Sequence, residues 1–139
     1  MTARVCSDRG AATIELVVLT PVLLTMLLLV VFLGRITSAR ADVDEAARDA
    51  ARAASVARTS VAASTDGEAA ARASIDNGGP SCRMLSVQVD TAGFGPGGTV
   101  SASVACRVEL SDLGPLDLPG TTTLFSTFVE PVDRYRSAT

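Results

Sequence analysis

A single carboxylate, Glu15, stands at the head of the most apolar stretch of the chain. The segment RGAATIELVV begins at Arg9 and places Glu15 immediately before Leu16 to Leu33, a run without a charged residue. A carboxylate at the edge of such a run costs free energy unless it pairs with a positive charge or stays at a polar boundary. Glu15 is therefore the first candidate functional residue.

The other side chains offer little chemistry for an active site. The 139 residues include no His and no Trp, one Tyr and three Cys, so the commonest general base and metal ligand is missing. All twelve basic residues are Arg, they are interspersed with Asp and Glu, and the net charge is -3, which argues against nucleic-acid binding. We expect a protein that is not an enzyme, with no cofactor, no metal and no small-molecule substrate.

The apolar run predicts a membrane-spanning helix. A bilayer core needs roughly 20 apolar residues in helical form, and a buried soluble helix is rarely apolar on all sides for so long. Two arginines precede the run and two follow it, namely Arg4, Arg9, Arg35 and Arg40, so the positive-inside rule does not decide the orientation. The short N-terminus and the cysteines of the C-terminal part favour a cytoplasmic N-terminus and an extracytoplasmic C-terminal part.

The next segment, Gly34 to Ala63, is rich in Ala and predicts a helix that continues straight out of the membrane for about 50 residues in all. Small apolar residues recur in it at helical spacing: Val43, Ala46, Ala50, Ala54, Ala57 and Val61. This stripe fits either a partner helix or the protein's own sheet, and an Ala-rich solvated helix is a further interpretation. We expect a break at Ser64 to Gly67 and then a short helix capped by Asp66, which Asn77 to Pro80 would end.

After Pro80 the hydrophobic period changes to two, which predicts strands. Apolar residues alternate with polar ones at Leu85 to Val89 and again at Val100 to Leu110, with a Gly-rich turn between them. A third strand is predicted in TTTLFSTFVEPVDRYR, which is rich in β-branched and aromatic residues. Three strands cannot bury a face alone, so the sheet needs the long helix or a partner across it.

The predicted fold class is therefore α+β: a long N-terminal transmembrane and amphipathic α-helix, a short second helix, and a small antiparallel sheet of about three strands. The predicted regions are a leader at 1–10, a transmembrane helix at 11–34, a helical extension with the second helix at 35–77, and an extracytoplasmic sheet region at 78–139.

Two cysteines flank the predicted hairpin. Cys82 and Cys106 can come within cross-strand reach, and a disulfide between them would stabilise the fold by roughly 3 kcal/mol in the loop-entropy model. Cys82 is out of phase with Leu85 to Val89, so its segment must approach the strand irregularly or through a bulge. Cys6 has no evident partner and is interpreted as an incidental residue of the leader.

A short basic leader before an apolar run has three processing fates. A secretory signal could be cut after Ala41, since Ala39 to Ala41 matches the A-x-A pattern, although the run is longer than usual and Arg35 intervenes. The chain could instead remain an uncut anchor. In the third fate the cut precedes the apolar run and lies after Gly10.

The third fate corresponds to a known family pattern. The segment RGAATIELVVLTPVLLTMLLLVVF resembles the processing site and N-terminal helix of type IV pilin-like proteins, which have a leader ending in Gly and a Glu at the fifth mature position. Counted from Ala11, Glu15 is the fifth residue. With Pro21 inside the run and FVEPVDRYR near the C-terminus, the chain resembles more narrowly the TadE-like minor pilins (pseudopilins) of the Flp/Tad pilus system, which serves tight adherence and secretion.

The resemblance implies that a prepilin peptidase cuts between Gly10 and Ala11. The new α-ammonium of Ala11, or that of a neighbouring subunit, would then pair with Glu15 during assembly, and Pro21 should kink the helix. The implied partners are the peptidase, other pilin subunits, an inner-membrane assembly platform and membrane lipid. The implied location is the inner (cytoplasmic) membrane as a single-pass protein, and later the pilus outside the cell. The alternative is a membrane-anchored protein whose exported domain binds a partner and which belongs to no pilus.

Overall fold

The computed structural model describes residues 9–113 and 119–135, with side chains described from residue 15 onward. Most of the predicted leader, including Cys6, lies outside the described residues. The elements in chain order are α1 (Arg9–Val56), α2 (Ser60–Asp76), β1 (Met84–Asp90), β2 (Thr99–Glu109), a 3-10 helix (Leu110–Leu113) and β3 (Thr121–Pro131). The predicted α+β class, with a long N-terminal helix, a second helix and a three-stranded antiparallel sheet, is confirmed.

Helix α1 runs without interruption through Gly34, as its Ala-rich extension predicts. Its two halves have different surroundings. The large apolar side chains from Leu16 to Leu33 are exposed with two half-buried exceptions, Leu28 and Phe32, whereas burial in the core begins at Ala39. Helix α1 therefore has an exposed apolar N-terminal half and a C-terminal half that forms part of the domain core.

The predicted position of the helix break is wrong. The chain leaves α1 after Val56, and α2 already begins at Ser60. Thr59 is the N-cap of α2, with extended backbone, and its hydroxyl accepts a hydrogen bond of 3.1 Å from the Ala62 backbone N–H. Asp66, the predicted cap, lies exposed inside α2. Gly67 does not break the helix, because close packing against α1 compensates for its low helix propensity.

Five of the six stripe residues are buried, namely Val43, Ala46, Ala50, Ala54 and Ala57. They pack against α2 and against the sheet of the same chain, so the interpretation as a solvated Ala-rich face is wrong for them. Val61 was assigned to the stripe incorrectly. It follows the break, belongs to α2 and is 74% exposed.

The sheet has the order β1-β2-β3, and both pairs are antiparallel. Met84 to Asp90 pairs with Arg107 to Ser101, and Thr99 to Glu109 pairs with Pro131 to Thr121. The apolar face of β2 is fully buried at alternate positions, Val100, Ala102, Val104, Cys106 and Val108. Helix α1 covers β2 and β3, and α2 covers β1, so the chain's own helices bury the face of the sheet.

The predicted disulfide between Cys82 and Cys106 is present, with a Cα–Cα distance of 5.4 Å. Cys82 precedes β1, and the Arg83 N–H donates to the Arg107 carbonyl at 2.8 Å although the ladder pairs Arg107 with Met84. This shift is the irregular approach that the phase of Cys82 predicted. The disulfide ties the chain leaving α2 to the central strand.

The domain has two ends along α1. The main core cluster starts on α1 at Ala39 and Val43 and includes Leu113, and half-buried Phe32 and Ile36 pack against it. A second cluster contains Ala54, Ala57, Ala63, Val100 and Val132. We call the end at Ile36 and Leu113 the proximal end, since it adjoins the apolar run, and the end at Ala57 and Val132 the distal end.

Candidate functional site

The candidate processing and assembly residues lie at the start of α1. Gly10 and Ala11 belong to its first turn, and Glu15 follows four residues after Ala11. Residues four apart lie about 6 Å along the axis and on one face of a helix. The Glu15 side chain is exposed and takes part in neither of the two ion pairs found among the described residues. The backbone thus puts Glu15 within a turn of the position where a new N-terminus would form.

The helix after Glu15 is suited to an apolar environment. Among the described residues it is the one helix long and apolar enough to cross a membrane, and no side chain of its most apolar window is buried. Thr20 donates its hydroxyl to the Leu16 carbonyl at 2.6 Å, and Thr25 donates to the carbonyls of Pro21 and Val22. These hydroxyls are satisfied within the helix, as a group surrounded by hydrocarbon must be.

Pro21 lies inside α1 and does not end it. Because Pro has no N–H, the Val17 carbonyl lacks its usual helical donor. A kink at this point stays a prediction.

At the proximal end of the domain, one ion pair joins the start of β1 to the end of β2. The Arg83 guanidinium donates to the Glu109 carboxylate at 2.9 Å. This hydrogen bond, and then the charge of Glu109, raise the pKa of Arg83 above its ordinary value. The opposite charges of Arg83 and Glu109 cancel, so the pair as a whole is neutral.

The sheet side of α1 also carries a groove of about 500 Å³, lined by Ala41, Glu45, Arg48, Asp49, Arg52, Phe128 and Glu130. The Arg48 guanidinium carbon lies 5.3 Å from the centre of the Phe128 ring, within cation-π range. No set of three His, Cys, Asp or Glu side chains among the described residues is placed to hold a metal ion.

Three features escaped the sequence reasoning. The Thr59 cap was detectable, since Thr is a preferred N-cap residue and Arg58 to Ser60 interrupts the Ala-rich run. The contact of Arg48 with Phe128 and the packing of Phe32 on the domain depend on the alignment of α1 with β3, which no local pattern encodes.

Comparison with known protein families gives a match to the segment that contains Gly10, Glu15 and Pro21. The model of the family described as TadE-like protein matches residues 10–52. Neither a curated protein nor a solved structure matches the chain. The family match starts at Gly10 and includes Glu15, Pro21 and most of the buried half of α1. The chain therefore carries the TadE-like segment over residues 10–52, which confirms its resemblance to the TadE-like proteins associated with Flp/Tad pili.

Proposed function

We propose that the chain is a minor pilin (pseudopilin) of the Flp/Tad type. In this proposal α1 anchors the precursor in the inner membrane, a prepilin peptidase cuts after Gly10, and the mature subunit takes part in pilus assembly. The observation that carries the proposal is that the family match and the exposed apolar helix begin at nearly the same position. The TadE-like match begins at Gly10, and the helix that follows Glu15 presents an exposed apolar surface up to Leu33.

The location of the scissile bond supports processing. A peptidase binds its substrate as an extended chain, and the Gly10–Ala11 bond lies in the first turn of α1, where helices fray most easily. Gly10 has no Cβ, so the chain can extend into a narrow cleft there. The chain is a substrate in this step and supplies no catalytic group.

Cleavage would give Glu15 a partner. The α-ammonium of Ala11 forms one helical turn before Glu15, either in the same subunit or in a neighbour. A carboxylate in a bilayer costs up to about 3 kcal/mol at the centre and less near the interface. An ion pair where water is scarce offsets that cost, so Glu15 would favour the assembled state over the isolated subunit.

The disulfide supports the proposed orientation. Cys106 is fully buried and joined to Cys82, and such bonds persist in oxidising compartments outside the cytoplasm. The domain after α1 would then be extracytoplasmic and Gly10 cytoplasmic. Other pilin subunits and an inner-membrane assembly platform are the proposed partners.

A secretory cut after Ala41 is disfavoured. Ala39 is 4% exposed and lies in the main core cluster, so this cut would sever α1 inside its packed half. The uncut anchor, whose exported domain binds a partner outside any pilus, remains the competing function.

N-terminal sequencing of the protein, produced together with a prepilin peptidase, tests the proposal. We expect Ala11 as the first residue, and Gly10→Val, which adds a branched side chain at the cleft, should retain Met1. Gly34→Ala is the matched control, because nothing lies within 4 Å of a Cβ at that position, and it should be processed normally. Met1 at the terminus of the unmodified protein would support the anchor instead, and Asp42 the secreted form.

A further inference from the structure

We propose that the proximal end of the domain rests on the lipid headgroups of the membrane that holds α1, with the Leu110–Leu113 turn and Thr121 at headgroup level. The inference rests on the insertion of α1 that the proposed function requires. It adds an interaction surface, and its partner is the phospholipid bilayer.

Helix α1 and strand β3 run side by side and in the same direction. Thr123, Leu124 and Phe125 line one cavity together with Arg40 and Asp44. Further along, Phe128 and Glu130 line the groove that contains Arg48 and Arg52. From Arg40 to Arg52 the helix rises about 18 Å, and from Leu124 to Glu130 the strand advances about 20 Å. Positions along α1 and β3 can therefore be compared, with Leu124 near Arg40 to Asp44 and Phe128 near Arg48.

This alignment locates the start of β3 relative to the membrane segment. Thr121 lies about 10 Å before Leu124 along the strand, a length of about seven helical residues, which brings it level with Leu33 to Thr37 on α1. The uncharged run ends at Leu33. Its 18 residues, Leu16 to Leu33, span about 27 Å as a helix, close to the ~30 Å of a hydrocarbon core. Thr121 thus lies within one helical turn of the hydrocarbon boundary.

No linker separates the span from the domain. Phe32 belongs to the last turn of the apolar run and Ile36 follows one turn later, yet both pack against the domain core, which includes Leu113. Because α1 continues without a break through this region, the domain cannot move away from the bilayer without losing these contacts. A headgroup layer is roughly 5 to 8 Å thick on each side, so the proximal end must occupy it.

The residues at the proximal end suit a headgroup environment. Leu110 is half-buried and, like Phe32 and Ile36, packs against the main core cluster while part of its apolar surface stays accessible. Arg83 and Glu109 neutralise each other, and Arg35, the first charge after the run, is exposed and can reach lipid phosphates. The continuity of this surface with the span identifies lipid as its partner.

Single tryptophans provide the test, because the chain has none of its own. Thr121, Phe125 and Val129 are exposed on one face of β3, and the first and last are about 26 Å apart. Each would be replaced by Trp in the full-length chain, reconstituted in phosphatidylcholine vesicles whose acyl chains carry bromine close to the headgroup. Leu24→Trp, in the middle of the run, reports insertion of α1. Circular dichroism and an intact disulfide verify folding, and Ser111→Trp replaces Thr121→Trp if that variant does not fold.

We expect bromine quenching to fall in the order Thr121→Trp, Phe125→Trp, Val129→Trp, several-fold stronger at the first position than at the last, and Leu24→Trp to be quenched as well because it lies inside the bilayer. If Leu24→Trp is quenched but the three strand positions are all unquenched, the domain stands clear of the bilayer and the inference is wrong. Equal quenching at the three positions would mean that the domain lies flat, which also overturns it. An unquenched Leu24→Trp would instead refute membrane insertion, and with it the proposed function.

Discussion

Gly67 of α2 lies so close to the Ala50 carbonyl of α1 that a Cβ on Gly67 would be 3.0 Å from that oxygen. The same Cβ would be 3.0 Å from the Val89 Cγ2 atom of β1. Gly67 therefore marks the point where both helices and the sheet come into contact, and its missing side chain sets the distance between α1 and α2.

Substitution of Gly67 should destabilise the domain according to side-chain size. Gly67→Val places two methyl groups against a backbone carbonyl that cannot rotate away, so we expect a loss of about 1 to 3 kcal/mol in the free energy of unfolding. Gly67→Ala should lose less, because Ala gains about 1 kcal/mol of helix propensity. Urea unfolding in detergent, followed by circular dichroism, measures both. Gly34→Ala, in open space, is the control, and a Gly67→Val variant as stable as the parent would contradict the close packing.

The cap of α2 gives a second prediction. Thr59→Ala removes the oxygen that accepts from the Ala62 N–H, and we expect a loss of about 0.5 to 2 kcal/mol. Asp66→Ala should change stability little, since Asp66 is exposed inside the helix. The same unfolding measurement compares the two variants. The reverse order of effects would place the start of α2 at Asp66.

Gly67 and Thr59 show which features of the fold the sequence could predict and which it could not. The alternation in β1 and β2, the continuity of α1 through Gly34 and the pairing of Cys82 with Cys106 follow from local period and spacing, and all were predicted correctly. The helix break was misplaced because Gly67 resembles a breaker locally, whereas its role is decided by α1 and β1 in three dimensions. The role of Glu15 was inferred from its isolated charge and stays a prediction, whereas the proximal end of the domain could be located only from the alignment of β3 with α1.

The disulfide supplies a third prediction. Replacement of both Cys82 and Cys106 by Ala, in a Cys6→Ser background, should lower the free energy of unfolding by roughly 3 kcal/mol for a loop of this length. Chemical reduction of the Cys6→Ser protein should have a similar effect, because both treatments release the same loop. Urea unfolding with and without reductant measures it. Reduction that further destabilised the double Ala variant would show that the effect does not come from this bond.

The last prediction concerns Glu15, and it separates charge from shape. Glu15→Ala and Glu15→Gln both remove the charge that we propose pairs with the Ala11 ammonium, so both should be processed after Gly10 but be largely lost from the assembled fraction. Glu15→Asp keeps the charge and should restore part of the assembly, while Leu19→Ala, also exposed on α1, controls for loss of side-chain surface. The measurement is the amount of processed subunit in sheared pili relative to the membrane fraction, with N-terminal sequencing of both.

If Glu15→Gln assembles like the unmodified protein while Leu19→Ala does not, the exposed apolar surface of α1 rather than the ion pair drives assembly. Because Gln differs from Glu only in charge and hydrogen bonding, its behaviour decides whether the carboxylate at the head of the apolar run is there for its charge.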